Sequence, residues 1–296
     1  MTNPSGYRLL AYSPSTHLKL LLVDVAEPAR ILANGHLNGP ASSMIQAAAL
    51  AATALLGGDL GRPEETITFQ FKCDGPIKGF LMEASGTGGL RGYVEQKVLE
   101  EYDTNPAMDL TETLGRRAAF RIMRSIPGAL LAQSQLQIAA PVRLDSALEH
   151  YYSHSEQRDT AVRHSVHLSD PSYLDCARGL LLERLPEGNQ QFFQKLQKAL
   201  RQEGAPFALE SSAPLAALSD YLGISDFEER SRTELRFACS CSSERVTSML
   251  EGLPTDELRA MASASHPASI YCHMCGRGWS IPQPHIEAIL KARGSR

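Results

Sequence analysis

The chain reads Cys239-Ser240-Cys241, then thirty residues, then Cys272-His273-Met274-Cys275. Each short pair lets a single turn offer two sulfurs, and the spacer is long enough to bring the chain back on itself. Four soft thiolate donors suit tetrahedral zinc. The spacing therefore predicts a zinc site made by Cys239, Cys241, Cys272 and Cys275. His273 lies inside the second pair, and His266 and His285 are close in sequence. Four cysteines already fill a tetrahedral shell, so none of these histidines is expected to bind. The surrounding module, residues 237–296, is too short to hold itself together on an apolar core alone, and a metal staple is the expected remedy.

Upstream of the module, residues 179–236 read as helices broken by Gly and Pro. Phe192, Phe193, Leu196, Ala199 and Leu200 fall at helical spacing, and Glu203-Gly204-Ala205-Pro206 stops the run. Pro214 opens a second helix carrying Leu215, Leu218 and Leu222. Residues 226–236 carry charges of both signs. They read either as a solvated face or as part of a metastable linker.

Residues 1–178 read as an α/β domain. Residues 17–25 (HLKLLLVDV) are an expected strand, and 40–57 an expected buried helix. From Thr66 to Cys73, Ile67, Phe69, Phe71 and Cys73 alternate with polar residues, the pattern of a half-buried strand. Asp74-Gly75-Pro76 is a turn and 77–84 the next strand. Residues 118–125 and 129–138, joined at Pro127-Gly128, form an expected hairpin. Residues 144–154 read as a helix and 161–168 as a strand. The fold class expected is α+β: an N-terminal α/β domain of sheets and packed helices, a helical linker, and a small C-terminal zinc-binding domain.

The whole chain has 296 residues, 43% hydrophobic and 21% charged, with a net charge of −4. That balance gives no electrostatic footprint for nucleic acid or an anionic membrane. Within 237–296, six Lys/Arg meet five Asp/Glu, so the module carries no basic stripe either. The opening MTNPSGYRLL lacks a basic region followed by an apolar core, and the longest apolar stretch, 44–56, is short of a membrane span. A cytoplasmic protein is expected. Of the six cysteines, Cys73 and Cys176 stand alone and are expected to be buried thiols, while the other four cluster. The Gly-rich stretch 86–92 has GxGxxxG spacing, which is not a dinucleotide fingerprint, and reads as a turn between strands. No Ser/His/Asp or paired-carboxylate arrangement emerges, so no enzyme is expected. A thiol oxidoreductase would place Cys272 and Cys275 at a βα junction, not in a cysteine-rich tail. A structural zinc ribbon that binds nucleic acid or a protein partner, without redox switching, stays open as the alternative.

The cysteine layout resembles the heat-shock protein 33 chaperones. So do its surroundings: Cys241-Ser-Ser-Glu-Arg-Val246, Leu253-Pro-Thr-Asp-Glu-Leu258, and, upstream, Asp74-Gly-Pro-Ile-Lys-Gly79, Arg91-Gly-Tyr-Val94, Ser155-Glu-Gln157 and Gly179-Leu-Leu-Leu-Glu-Arg-Leu-Pro186. The resemblance implies an ATP-independent holdase of the oxidative stress response, quiet while reduced and zinc-bound. Oxidation would form two disulfides, release zinc and unfold the linker, so that unfolding client proteins are held; dimers accompany activation. Neighbouring thiols have the highest effective concentration, so the expected disulfides are Cys239–Cys241 and Cys272–Cys275. Zinc keeps its ligands as thiolates, the form that oxidants attack, and each cysteine has a partner two or three positions away.

Overall fold

A computed structural model describes residues 6–104, 110–170, 173–202, 204–264 and 266–294. Residues 1–5 of the opening segment, and Glu203 of the helix-stopping run, lie outside them. The elements are, in order, β1 (Gly6–Ser13), β2 (Leu18–Asp24), α1 (Ala26–His36), α2 (Pro40–Leu56), β3 (Thr66–Cys73), β4 (Gly79–Ser85), β5 (Gly89–Val94), α3 (Glu100–Asp103), α4 (Leu110–Leu114), β6 (Arg117–Ile126) and β7 (Ala129–Ala139). They continue with α5 (Leu144–Ser155), β8 (Asp159–Asp170), β9 (Tyr173–Arg184), α6 (Gln190–Leu200), α7 (Gly204–Glu210), α8 (Pro214–Leu222), β10 (Glu228–Phe237), α9 (Ser243–Gly252), α10 (Thr255–Ala262), β11 (Ala268–Tyr271), β12 (Gly278–Ile281) and α11 (Gln283–Gly294). The chain forms two compact units, one ending at Ala238 and the other starting at Cys239.

The first unit is organised by one ten-stranded sheet in the order β7-β6-β3-β4-β5-β10-β1-β2-β9-β8. The run Leu18-Lys-Leu-Leu-Leu-Val-Asp24 explains its layering. Side chains alternate across a strand. Leu18, Leu20 and Leu22 join Leu180 and Leu182 of β9 in a core completed by Phe193, Leu196, Leu200, Leu209, Leu218 and Leu222 of α6 to α8. Leu21 and Val23 point the other way, toward Gly58 and toward Gly179 beside Leu55 at the end of α2. A strand buried on both faces needs no polar side, and so it reads as a continuous apolar run. Helix α2 packs across β9, β4, β8 and β5. Among the described residues it is the one helix long and apolar enough to cross a membrane, but 83% of that stretch is buried inside the protein.

Two sequence readings change here. The mixed-charge stretch 226–236 is not helical. Most of it is β10, which pairs antiparallel with β1 from Gly6↔Leu235 to Tyr12↔Glu228 and parallel with β5 at Arg236 and Phe237. Its charged side chains stay exposed while its backbone closes the sheet, and Arg230 and Arg232 lie over the rings of Tyr12 and Tyr7. Residues 179–184, read as the start of a helical segment, are the second half of β9, antiparallel to both β2 and β8. The two helices expected between these ends are present as α6 and α8; α7 lies between them and starts at Gly204, inside the run read as a stop.

At the β2 end of the unit, Glu183 is held by Arg158 at 2.7 and 2.5 Å and by Lys19 at 3.0 Å, with its side chain 8% exposed. Burial favours its protonated form, but Arg158 and Lys19 outweigh that and hold the carboxyl below the usual range. Replacing Arg158 with Ala leaves this carboxylate to Lys19 alone and is expected to cost about 1.5–3 kcal/mol at neutral pH. Glu183 is depressed in the folded state, so its stabilisation is complete above the unfolded carboxylate pKa and is lost as pH falls through the folded value. Urea denaturation of both proteins should show the Arg158→Ala penalty shrinking below about pH 4. A penalty independent of pH would mean that lost packing, not the ion pair, sets it.

Candidate metal centre

The second unit opens on the first cysteine pair. Ser242 then caps α9 by accepting from the Arg245 N–H at 3.3 Å, which turns the chain sharply after Cys241. Arg245 also reaches back to the Ser240 carbonyl at 3.1 Å and its hydroxyl at 2.6 Å, holding the residue between the two cysteines. The second pair sits in the β11–β12 hairpin, where Cys272 donates its N–H to Arg277 at 2.9 Å. The amides of Cys275 and Gly276 fold over the Cys272 carbonyl at 3.3 and 2.8 Å. Gly276 has φ +72°, the left-handed geometry this turn requires. The apolar core is small: Val246, Leu250, Leu258, Ile281, Ile286 and Ile289.

These turns bring the four Sγ atoms of Cys239, Cys241, Cys272 and Cys275 within 4.8 Å of one another. Cys239 and Cys272 are 3.8 Å apart, and Cys241 and Cys275 3.3 Å. Four sulfurs about 2.3 Å from a tetrahedral ion would lie roughly 3.8 Å apart. The cluster therefore has the size of a metal shell, and its separations are far beyond a disulfide bond. Burial pushes the Cys275 thiol well up, and Cys241 also lies above its ordinary value. Four thiolates this close repel one another unless a cation sits among them, so the donor set fits a divalent metal. His266, His273 and His285 are exposed and stand outside the cluster.

Cys73 and Cys176 lie elsewhere, half-buried rather than fully buried. Burial raises the Cys73 thiol and pushes Cys176 up to about 11. Both are poor nucleophiles at neutral pH. Residues 86–88 of the Gly-rich stretch form the β4–β5 turn, with Gly88 at φ +81° against the Glu234 carbonyl, and 89–92 belong to β5. Sequence reasoning missed the roles of Arg245 and Gly276. The Gly directly after Cys-x-x-Cys was a usable signal for the turn; nothing local announced Arg245.

The structure is similar to the crystal structure of the 33 kDa chaperonin (heat shock protein 33 homolog) of Thermotoga maritima, with TM-score 0.84, 19% identity, and coverage of 99% of this chain and 100% of that one. In sequence it is similar to the 33 kDa chaperonin of Lacticaseibacillus paracasei, 25% identical over 97% of this chain and 98% of the relative. The Staphylococcus epidermidis protein of the same name is 23% identical over 86% and 88%. The family model described as Hsp33 protein matches residues 7–282, so a metal-sized cysteine cluster and a match over most of the chain coincide, and the chain belongs to the Hsp33 family.

Proposed function

We propose that this chain is a redox-regulated, ATP-independent chaperone that holds unfolding proteins. It is silent while Cys239, Cys241, Cys272 and Cys275 bind zinc and active once they are oxidised. The observation that carries this reading is the convergence of four sulfurs within 4.8 Å in an Hsp33 family member whose relatives are named 33 kDa chaperonin. Bound zinc would keep the four thiols as thiolates and tie the two turns together.

The residues account for the switch as follows. A cysteine thiolate attacks the O–O bond of a peroxide, becoming a sulfenic acid and releasing hydroxide. A second thiol attacks that sulfur, and water leaves as the disulfide forms. A disulfide sulfur is no longer a thiolate ligand, so the two turns lose what joined them. In the reduced fold all four sulfurs are mutual neighbours, and geometry alone selects no pairing. Once the module opens, only sequence neighbours stay close, which favours Cys239–Cys241 and Cys272–Cys275. The next upstream element is β10, whose contact with β5 ends at Phe237, two residues before Cys239. Freed at that end, β10 and the helices α6 to α8 are the proposed moving linker, within residues 179–236. The apolar faces they uncover are the proposed client surface. A cytoplasmic setting, where thiols stay reduced until stress, and dimerisation on oxidation complete the proposal.

Aggregation of a thermally unfolding client tests the function. Reduced, zinc-loaded protein should leave aggregation unchanged, peroxide-treated protein should suppress it, and ATP should alter neither. Equal behaviour of the two redox states would favour a structural metal module instead, and an ATP requirement would end the holdase reading. Peptide mapping of oxidised protein without reduction should find the two local disulfides. A dominant Cys241–Cys275 bridge would show that oxidation traps the folded geometry.

A further inference from the structure

Helix α5 carries two histidines one turn apart, in the run Glu149-His150-Tyr151-Tyr152-Ser153-His154. An (i, i+4) spacing sets both on one face of a helix. The core-facing side of α5 is taken by Leu144, Ala147, Leu148, Tyr151 and Tyr152, all buried. The histidines flank that side, His150 half-buried and His154 exposed. Their ring centroids are 3.9 Å apart and the rings are tilted by 48°.

The hydrogen bonding around them settles one tautomer. His154 Nδ1 lies 3.1 Å from the His150 carbonyl oxygen. A carbonyl can only accept, so Nδ1 carries the proton, and in the neutral imidazole Nε2 then holds the lone pair. Metal-binding histidines are oriented in the same way, one ring nitrogen donating to a carbonyl while the other binds. The His150 ring has no hydrogen-bond partner among the described residues, so it has a nitrogen to offer. The neighbouring carboxylates are engaged elsewhere. Glu149 accepts from the Val162 N–H at 3.0 Å and from Arg201 at 3.2 Å, and Glu156 accepts from the Tyr151 hydroxyl at 2.7 Å. The donor set is therefore two imidazole nitrogens without a protein oxygen.

We propose that His150 and His154 form a second metal site, a two-imidazole chelate for a borderline divalent ion of the Ni²⁺, Cu²⁺ or Zn²⁺ class. Water completes the coordination. Imidazole suits these ions, whereas Mg²⁺ and Ca²⁺ call for oxygen ligands. An ion about 2.1 Å from each nitrogen, with a right angle between them, needs the nitrogens roughly 3 Å apart. Rings with centroids 3.9 Å apart are already that close. The ion closes a ring across the last turn of α5, which ends at Ser155, and so favours the folded helix. The pair belongs to the first unit, and this reading is independent of the redox switch.

Ni²⁺ is the probe, because Cu²⁺ would oxidise the thiols and added Zn²⁺ would be confused with the cysteine site. It is titrated into reduced, zinc-loaded full-length protein. The readouts are bound Ni²⁺ by calorimetry, zinc content, paramagnetic broadening of amide NMR signals, and the thermal midpoint. A single saturable Ni²⁺ should bind with zinc retained, broaden the signals around His150 and His154 most strongly, and raise the midpoint by mass action. Mg²⁺ should do none of this. His150→Gln and His154→Gln each leave one imidazole, and each should weaken Ni²⁺ by about tenfold or more as the chelate is lost. If either variant does not fold, the broadening pattern on the native chain decides alone. Unchanged affinity in either variant, broadening centred away from α5, or Ni²⁺ taken up only as zinc leaves would each overturn the proposal.

Discussion

Replacing any one of Cys239, Cys241, Cys272 or Cys275 with Ser should unfold residues 239–296 while leaving the ten-stranded unit folded. Among the described residues of the module the core cluster has six buried apolar side chains, and a core that small rarely suffices alone. A structural zinc contributes roughly 10–16 kcal/mol in comparable small domains. Two tight disulfides, by the chain-entropy relation extrapolated to such short loops, give about 3–4 kcal/mol together. Neither a three-ligand site nor the oxidised pairs can therefore stand in for the metal. Chelation should act like the substitutions. Zinc content near one per native chain, falling sharply in each variant, together with loss of amide protection confined to 239–296, is the expected result. Full zinc retention by one variant would remove that cysteine from the site. Intact protection after chelation would show that the small core is self-sufficient, and the switch would lose its driving force.

The second large effect concerns α6. Phe193 is completely buried between α6 and the sheet, in contact range of the Leu20, Leu22 and Leu182 layer. Helix α6 has eleven residues, capped by Asn189, whose side chain accepts from the Phe192 N–H at 2.9 Å. Helices this short depend on packing rather than intrinsic propensity. Phe193→Ala should cost about 3–5 kcal/mol through the cavity it leaves. If α6 to α8 cover the client surface, the loss shifts their equilibrium toward open states. The reduced variant should then suppress aggregation without peroxide and with its zinc content unchanged. Hydrogen exchange would report the opening directly. A variant that exchanges faster over 190–222 yet stays inactive when reduced would separate helix opening from client binding and refute the proposed surface.

Much of this architecture was readable in the sequence because the deciding signals are local. The alternation in β3, the Pro127-Gly128 turn between β6 and β7, the Ala-rich α2 and the two cysteine pairs each fit within a few residues. The missed elements depend on partners far away. Arg8 interrupts the apolar pattern of β1, but its guanidinium lies near the Ala54 carbonyl at the end of α2. In β9, Arg178 and Arg184 look like surface residues until Asp24 and Asp159 are seen beside them at 2.7 and 2.5 Å. Strand β10 is held by backbone pairing, which its exposed charged side chains do not advertise. The clustering of the four cysteines was legible in their spacing, whereas its supports, such as Arg245 on Ser240, were not.

The place of β10 has a consequence for how the protein is made. Strand β1 leaves the ribosome first, yet the partner on its outer edge is β10, with Gly6 opposite Leu235. At ordinary elongation rates some ten to forty-five seconds separate the two. During that interval the nascent chain holds two incomplete half-sheets, one ending at β1 and the other at β5, each with an open edge able to template pairing with another chain. Such long-range closure is also the slow kind. A protein whose proposed task is to keep others from aggregating must therefore survive its own synthesis with both edges uncovered, until residues 228–237 emerge and join the halves.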